Sequence, residues 1–274
     1  MSVAAISFDH VDVVFGADPA QALALLDQGL KREDILTRTG SVVGVHDAHL
    51  DIEEGEICVL MGLSGSGKSS LLRCVNGLNT VSRGRVLVEH EGQHVDIASV
   101  APALLRTLRM NRISMVFQQF ALMPWRTIRE NVGLGLELRG LSRQERDRLV
   151  NEKLALVHVP DAFDKMPSEL SGGMKKRVGL ARGLITDPHI ILYDEPTAGL
   201  DPEIASSINH LIREIGDRLE VTALTVTHHI GTVKTVSDRV GLLDGGRLNF
   251  VSTPEEFLSS DAPRLVRFLG DRLD

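Results

Sequence analysis

Gly62-Leu63-Ser64-Gly65-Ser66-Gly67-Lys68-Ser69 stands between residues 56–61, a short apolar run of strand type, and a segment from Ser70 to Gly77 that reads as a helix ending on a glycine. A glycine-rich turn between a strand and a helix aims successive backbone N–H groups at phosphate oxygens. Lys68 adds a movable positive charge, and Ser69 offers a hydroxyl to Mg²⁺. Strand, loop and helix in that order are the context the motif needs. The reading is therefore an α/β chain of the P-loop NTPase type with nucleotide held by Gly62, Ser64, Gly65, Ser66, Gly67, Lys68, Ser69 and Ser70.

Downstream, four apolar positions of residues 189–193 run into Asp194 and Glu195. Asp194 is placed to reach Mg²⁺ through water, and Glu195 to orient or deprotonate the water that attacks a γ-phosphate. Paired acids at a strand end also occur on ordinary surfaces, so their weight here comes from the phosphate loop upstream. His228 and His229 follow a buried strand at residues 221–227, at the carboxyl end where doubly wound sheets place ligand groups. Position leaves open which of the two acts.

The rest of the chain reads as elements around that core. Residues 6–15 alternate as a strand ending at Phe15, which either stacks on an adenine ring or is an ordinary core residue. Residues 17–43 form an insertion of two short helices, 19–27 and 32–39, with an apolar face of Ala22, Leu25, Leu26, Leu30, Ile35 and Leu36. Strand-like runs follow at 43–52, in a hairpin at 85–88 and 94–97, and at 113–117, just before Gln118. The pattern loosens from Phe120 to about residue 141. A capping box at Ser142-Arg143-Gln144-Glu145 then opens a helix toward His158. Asp201-Pro202 caps a helix whose apolar face includes Ile204, Ile208, Leu211, Ile212 and Ile215. A hairpin at 240–251 and a final helix capped at Thr253 complete the order.

The chain has 274 residues, 43% of them hydrophobic, which is ample for a core. No run approaches the roughly 18 apolar residues of a spanning helix, and Met1-Ser2-Val3-Ala4-Ala5-Ile6 lacks the pattern of an export signal, so a cytoplasmic location is expected. A net charge of −7 and 4% aromatic residues argue against nucleic acid as a partner. Cys58 and Cys74 flank the phosphate loop and read as reduced core residues.

The order Gly62 to Ser69, Gln118, Leu170-Ser171-Gly172-Gly173-Met174, residues 190–195, Leu200-Asp201 and His228 resembles the ATP-binding subunit of ABC transporters over nearly the whole chain. The resemblance implies one cassette, residues 1–274, with a RecA-like core sheet, an antiparallel β subdomain and a smaller α-helical subdomain at 119–176. It implies a homodimer in which each ATP lies between Lys68 and its loop on one chain and Ser171, Gly172 and Gly173 of the other. By the same resemblance Gln118 senses Mg²⁺ and the γ-phosphate, Asp201 lies at the dimer seam and His228 holds the γ-phosphate. Ser69, Gln118 and Asp194 would be the metal-side residues, and Glu195, His228 and Lys68 the catalytic ones. The family usually has Asp after this His; here His229 follows.

The insertion, the phosphate loop and Met115-Val116-Phe117-Gln118-Gln119-Phe120-Ala121-Leu122-Met123-Pro124-Trp125 resemble the ATPases of glycine betaine, choline and proline importers. From Asp187 onward, including Val266-Arg267-Phe268-Leu269-Gly270, the chain is closer to ATPases that move phospholipids across the bacterial envelope. The implied partners are transmembrane permease subunits and a periplasmic or extracellular substrate-binding protein. The chain would lie peripherally on the cytoplasmic face of the inner membrane. The first half weighs more for partner choice, because in this family the permease groove lies after Gln118.

Overall fold

The computed structural model describes residues 4–119 and 121–270; Phe120 and Met1-Ser2-Val3, used above, lie outside them. The strands are β1 (Ala4–Phe15), β2 (Val42–Glu53), β3 (Ile57–Met61), β4 (Arg83–His90), β5 (Gln93–Asp96), β6 (Ile113–Val116), β7 (Ile190–Asp194), β8 (Thr222–Thr227), β9 (Arg239–Asp244) and β10 (Arg247–Ser252). The first helices are α1 (Pro19–Asp27), α2 (Arg32–Thr39), α3 (Lys68–Val75), α4 (Pro102–Asn111), α5 (Ile128–Val132) and α6 (Leu134–Leu138). They are followed by α7 (Arg143–Leu156), α8 (Gly172–Leu184), α9 (Pro202–Leu219), α10 (Ile230–Val236), α11 (Pro254–Ser259) and α12 (Pro263–Gly270).

Two sheets form. The order β10-β9-β3-β8-β7-β6 makes a core in which β3, β6, β7, β8 and β9 run parallel, and β2-β1-β4-β5 makes a separate antiparallel sheet. The parallel strands bury both faces, so their residues alternate between cores rather than between core and water. Ile190 and Leu192 of β7 face the layer shared with α3 and the antiparallel sheet, whereas Ile191 and Tyr193 face the helices α5 to α9. Val59 and Met61 of β3 pack with α10, α11 and α12. Both cysteines are buried free thiols, and burial pushes Cys74 up to about 12.

The insertion has a small core of its own: Ala22, Leu26 and Ile35 pack with Val14 and Val43. Its extent is shorter than 17–43, because Val42 and Val43 already pair with Phe15 and Val14 in the antiparallel sheet. Leu36 belongs to neither face of that core and is 47% exposed. α8, which starts inside the 119–176 segment, continues past residue 176 to Leu184. At Ser142 one half of the capping box is formed, Ser142 Oγ accepting from the Glu145 N–H at 3.3 Å. The C-terminal segment is two helices rather than one, since Pro263 opens α12 as a new element. No helix among the described residues is long and apolar enough to cross a membrane.

Candidate functional site

β3 delivers the chain to the phosphate loop, and α3 leaves it with Gly67 at the N-cap. Gly67 has φ +104, and a Cβ there would run into the carbonyl oxygen of Gly44 on β2. Gly44 in turn supports the Phe15 ring, since a Cβ on it would sit 2.9 Å from Phe15 Cε2. Phe15, Gly44 and Gly67 thus form a continuous contact from the aromatic ring to the loop. Phe15 is 42% exposed, which removes the reading of it as a core residue and leaves its ring open to solvent beside the loop.

Lys68 is 7% exposed. Its Nζ donates to the carbonyls of Gly62 at 2.8 Å and Leu63 at 2.9 Å, so the ammonium closes the loop from within. Ser69 Oγ donates to Asp194 Oδ1 at 2.7 Å, and the other carboxylate oxygen of Asp194 is held by Arg73 Nη2 at 2.8 Å. Asp194 is 1% exposed, a burial that its paired donors make affordable. Ser69 and Asp194, both read as metal-side residues, therefore stand oxygen against oxygen.

The turn after β7 carries Glu195 in a left-handed backbone conformation, φ +49. Such a conformation in a non-glycine residue costs of order 1–3 kcal/mol and persists where the surroundings hold it. Here the Glu195 N–H donates to the Val226 carbonyl, and the Glu195 carbonyl oxygen accepts from Lys176 Nζ at 3.4 Å. The side chain is directed by His228, whose Nδ1 is 2.9 Å from Glu195 Oε1. Glu195 Oε2 has no hydrogen-bond partner among the described residues, a buried acceptor with a lone pair to offer.

Lys68, Ser69, Glu195 and His228 share one cavity of about 480 Å³, which Ser64, Gly65, Gly67, Ser70 and Gln118 also line. Gly62, Ser66 and Asp194 are buried and do not line it, and Gly62 takes part through the carbonyl that holds Lys68. The two histidines part company here. His228 lines this cavity and also a neighbouring one with Thr197, Leu200 and Asn209, whereas His229, its ring centroid 4.1 Å from that of His228, lines only the neighbouring one.

Ser171, Gly172, Gly173 and Asp201 are outside the phosphate-loop cavity. Ser171 is the N-cap of α8, its Oγ accepting from the Met174 N–H at 3.3 Å, and Asp201 caps α9 by accepting from the Ile204 N–H at 3.0 Å. Ser171, Gly172 and Asp201 are exposed, and Leu200 approaches the Gly172 position at 3.7 Å, so the two caps form one outward surface.

Sequence reasoning missed Arg73, Gly44 and Lys176. Lys176 had a signal: it falls at helical spacing among Gly173, Leu180 and Gly183, all buried, and a lysine on a buried face needs partners. It is 3% exposed, and burial pulls its ammonium below the ordinary lysine value while Glu195 and Asp194 oppose that shift.

Comparison with known proteins agrees with this geometry. The family model described as ABC transporter matches residues 45–198. The ATP-binding protein ProV of the glycine betaine/proline betaine transport system of Escherichia coli K12 is 41% identical over 254 residues, which cover 93% of this chain and 62% of that protein. The chain thus spans less than two thirds of the length of that relative. The trimethylamine N-oxide transport system ATP-binding protein TmoW of Ruegeria pomeroyi is 36% identical over 269 residues, covering 98% of this chain and 78% of that protein. A dimeric ATP-binding cassette, MJ0796, bound to ADP and Pi in a post-hydrolysis state, has a TM-score of 0.75 at 27% identity, covering 91% of this chain and 98% of that one. Strand, phosphate loop and acid turn lie inside the matched region, and on that match the chain belongs to the ABC transporter family.

Proposed function

We propose that the chain is the ATP-hydrolysing subunit of a membrane transporter, working as a homodimer that holds two ATP molecules between its copies. The observation that carries this reading is the one-sided cavity. It gathers the phosphate loop, Gln118, Glu195 and His228, while the Ser171 turn faces outward from the same chain. A second copy placed head to tail would bring its Ser171, Gly172 and Gly173 over the open side, with α8 offering N–H groups and a partial positive charge to the γ-phosphate. Asp201, beside that turn, would lie at the seam.

In this reading the loop N–H groups and Lys68 bind the phosphates of ATP, with Phe15 beside the base. Glu195 Oε2 takes a hydrogen bond from the attacking water and its proton as the water oxygen bonds to the γ-phosphorus and the bond to the β-phosphate oxygen breaks, giving ADP and phosphate. His228 orients Glu195 and faces the γ-phosphate. Ser69 Oγ, Asp194 and the Gln118 side chain are an all-oxygen set of the kind Mg²⁺ takes, and they would hold that ion, which neutralises charge on the phosphates when bound.

For the cargo, we infer a quaternary-ammonium osmolyte such as glycine betaine or choline, imported with the help of permease subunits and an external binding protein. Support comes from the importer-type segments at 17–43 and 115–125 and from relatives named for betaine and trimethylamine N-oxide transport. The chain would then sit on the cytoplasmic face of the inner membrane. The test is to isolate the chain with its native membrane partner, reconstitute both in liposomes, and measure ATP hydrolysis and uptake with glycine betaine and with choline. Stimulation by either supports the proposal. Bound phospholipid with no response to either compound overturns it in favour of the envelope-lipid reading of the last third of the chain.

A further inference from the structure

The long helix α8 does more than present Ser171. Lys176, five residues further along, donates through Nζ to the carbonyl oxygen of Gln118 at 2.9 Å and lies 3.4 Å from the carbonyl oxygen of Glu195. Arg182, a second cation of α8, donates to the Ala121 carbonyl. One helix therefore holds the segment after β6 at two points and the turn after β7 at a third. All of these contacts are to backbone oxygens, so they fix where Gln118 and Glu195 sit while leaving their side chains to the cavity.

The same face of α8 leads to its first turn. Gly172 and Gly173 are at i−4 and i−3 from Lys176 and so share its side of the helix. A Cβ on Gly173 would lie 2.8 Å from Ile204 Cγ2, so α9 closes that side and limits how α8 can shift. At 1.5 Å rise per residue, Ser171 is only about 7.5 Å along the axis from Lys176, within one unbroken helix. These bonds hold a buried ammonium, so displacement of the Gln118 or Glu195 carbonyl either carries α8 with it or breaks a charge-assisted hydrogen bond.

We infer that Lys176 is a positioning residue that transmits the state of this chain's own γ-phosphate site to its Ser171 turn, and so couples the two ATP sites of the dimer. The inference rests on the proposed homodimer. In that arrangement Gln118 and Glu195 serve one ATP and Ser171 of the same chain serves the other. Lys176 is the cation that touches the backbone of both catalytic segments from the helix bearing Ser171.

The test uses mixed dimers assembled from two differently tagged copies. In the reference dimer one copy carries Glu195→Gln and the other is unchanged, so hydrolysis comes only from the site made by Glu195 of the unchanged copy and Ser171 of the substituted one. Adding Lys176→Met to the substituted copy alters neither the phosphate loop nor the base of the working site. The inference expects kcat of that dimer to fall by about tenfold or more with KM changed by less than about threefold, and Lys176→Arg in place of Met to recover most of the rate. An unchanged kcat overturns it, since Lys176 would then act only on its own chain's Glu195. If Lys176→Met does not fold, Lys176→Gln, which keeps a donor and loses the charge, takes its place. A fall of about threefold or more then supports the coupling and an unchanged rate again overturns it. If the reference dimer hydrolyses no ATP, Lys176→Met is placed in one copy of an otherwise unchanged dimer, where loss of clearly more than about half of kcat supports the coupling and loss of about half or less overturns it. Copies that do not associate in ATP overturn the shared-site reading and the coupling with it.

Discussion

The phosphate loop and the Ser171 turn are both helix N-termini opened by glycines, yet they are finished in opposite ways. At the loop two polar side chains are held within the chain: Lys68 binds the Gly62 and Leu63 carbonyls, and Ser69 binds Asp194. At the turn Ser171 caps its own helix and remains exposed with Gly172, and Leu200 stands beside it. The helix dipole is the same device in both places. What differs is the surroundings: the loop lines a cavity shared with Gln118, Glu195 and His228, whereas the turn lies outside that cavity on the surface. The comparison teaches that a chain can carry one anion cradle braced from within and one half-cradle left bare at its surface, and that substitutions should separate them.

The largest separation is expected at Glu195. Removing its charge in Glu195→Gln should lower hydrolysis by about 10²- to 10⁴-fold, the range of a positioned general base, while nucleotide binding persists. A steady-state phosphate-release assay on the purified variant checks this, and normal turnover would take the base role away from Glu195. Lys68→Ala comes next. Loss of charge-assisted hydrogen bonds to phosphate should weaken ATP binding by about 100-fold in an equilibrium titration. Equal affinity in the two proteins would mean that the cradle closes without its lysine.

How much of this was legible before folding depended on whether the causes were local. α1 and α2 are read to the residue because their signals are adjacent: Asp18 and Pro19 start α1, and Gly40 at φ +69 ends α2. The strand, loop and helix around Lys68, and the acids ending β7, are read for the same reason. α5 went unread although Thr127-Ile128-Arg129-Glu130 carries a complete capping box, because the preceding irregular residues hid its period. α4 also went unread, with Pro102 at its start and Leu108 its buried anchor. The partners of Lys176 and the Phe15–Gly44–Gly67 contact were beyond local reading, since each joins residues that only the tertiary fold brings together. The separation of His228 from His229 is of that kind too: it is decided by the bond to Glu195, 33 positions away.

Ser171→Ala sharpens the comparison on the open side, with a smaller effect. The lost cap should cost about 1 kcal/mol of helix stability. ATP affinity of the isolated chain should stay within about twofold, because Ser171 is outside its own cavity. Association of two copies in ATP, measured by sedimentation in the Glu195→Gln background, should weaken. A Ser171→Ala chain that loses ATP affinity as Lys68→Ala does would erase the distinction between the two turns.

The smallest effect lies at the other end of β3 from the phosphate loop, where Glu56 is 9% exposed. Its Oε2 accepts from the Glu53 N–H at 2.8 Å, and the Arg239 guanidinium is 3.2 Å away. Burial is nevertheless the dominant influence and holds the Glu56 carboxyl above the ordinary glutamate value of 4.5. The folded state thus binds this proton more tightly than the unfolded chain does. The stability it contributes is fully present below the unfolded value and is lost as pH rises through the higher folded value. Glu56→Gln keeps an acceptor for the Glu53 N–H and cannot titrate, so its Tm should fall less than that of the parent as pH rises above 4.5. ATP hydrolysis should not change, because the residue is outside the cavity and at the opposite strand end. Parallel Tm profiles for the two proteins in that window would show that Arg239 and the Glu53 N–H outweigh burial at Glu56. A change in hydrolysis would show that the chemistry of β3 is not confined to its carboxyl end, and the contrast between a braced loop and a bare turn would then need a longer-range cause.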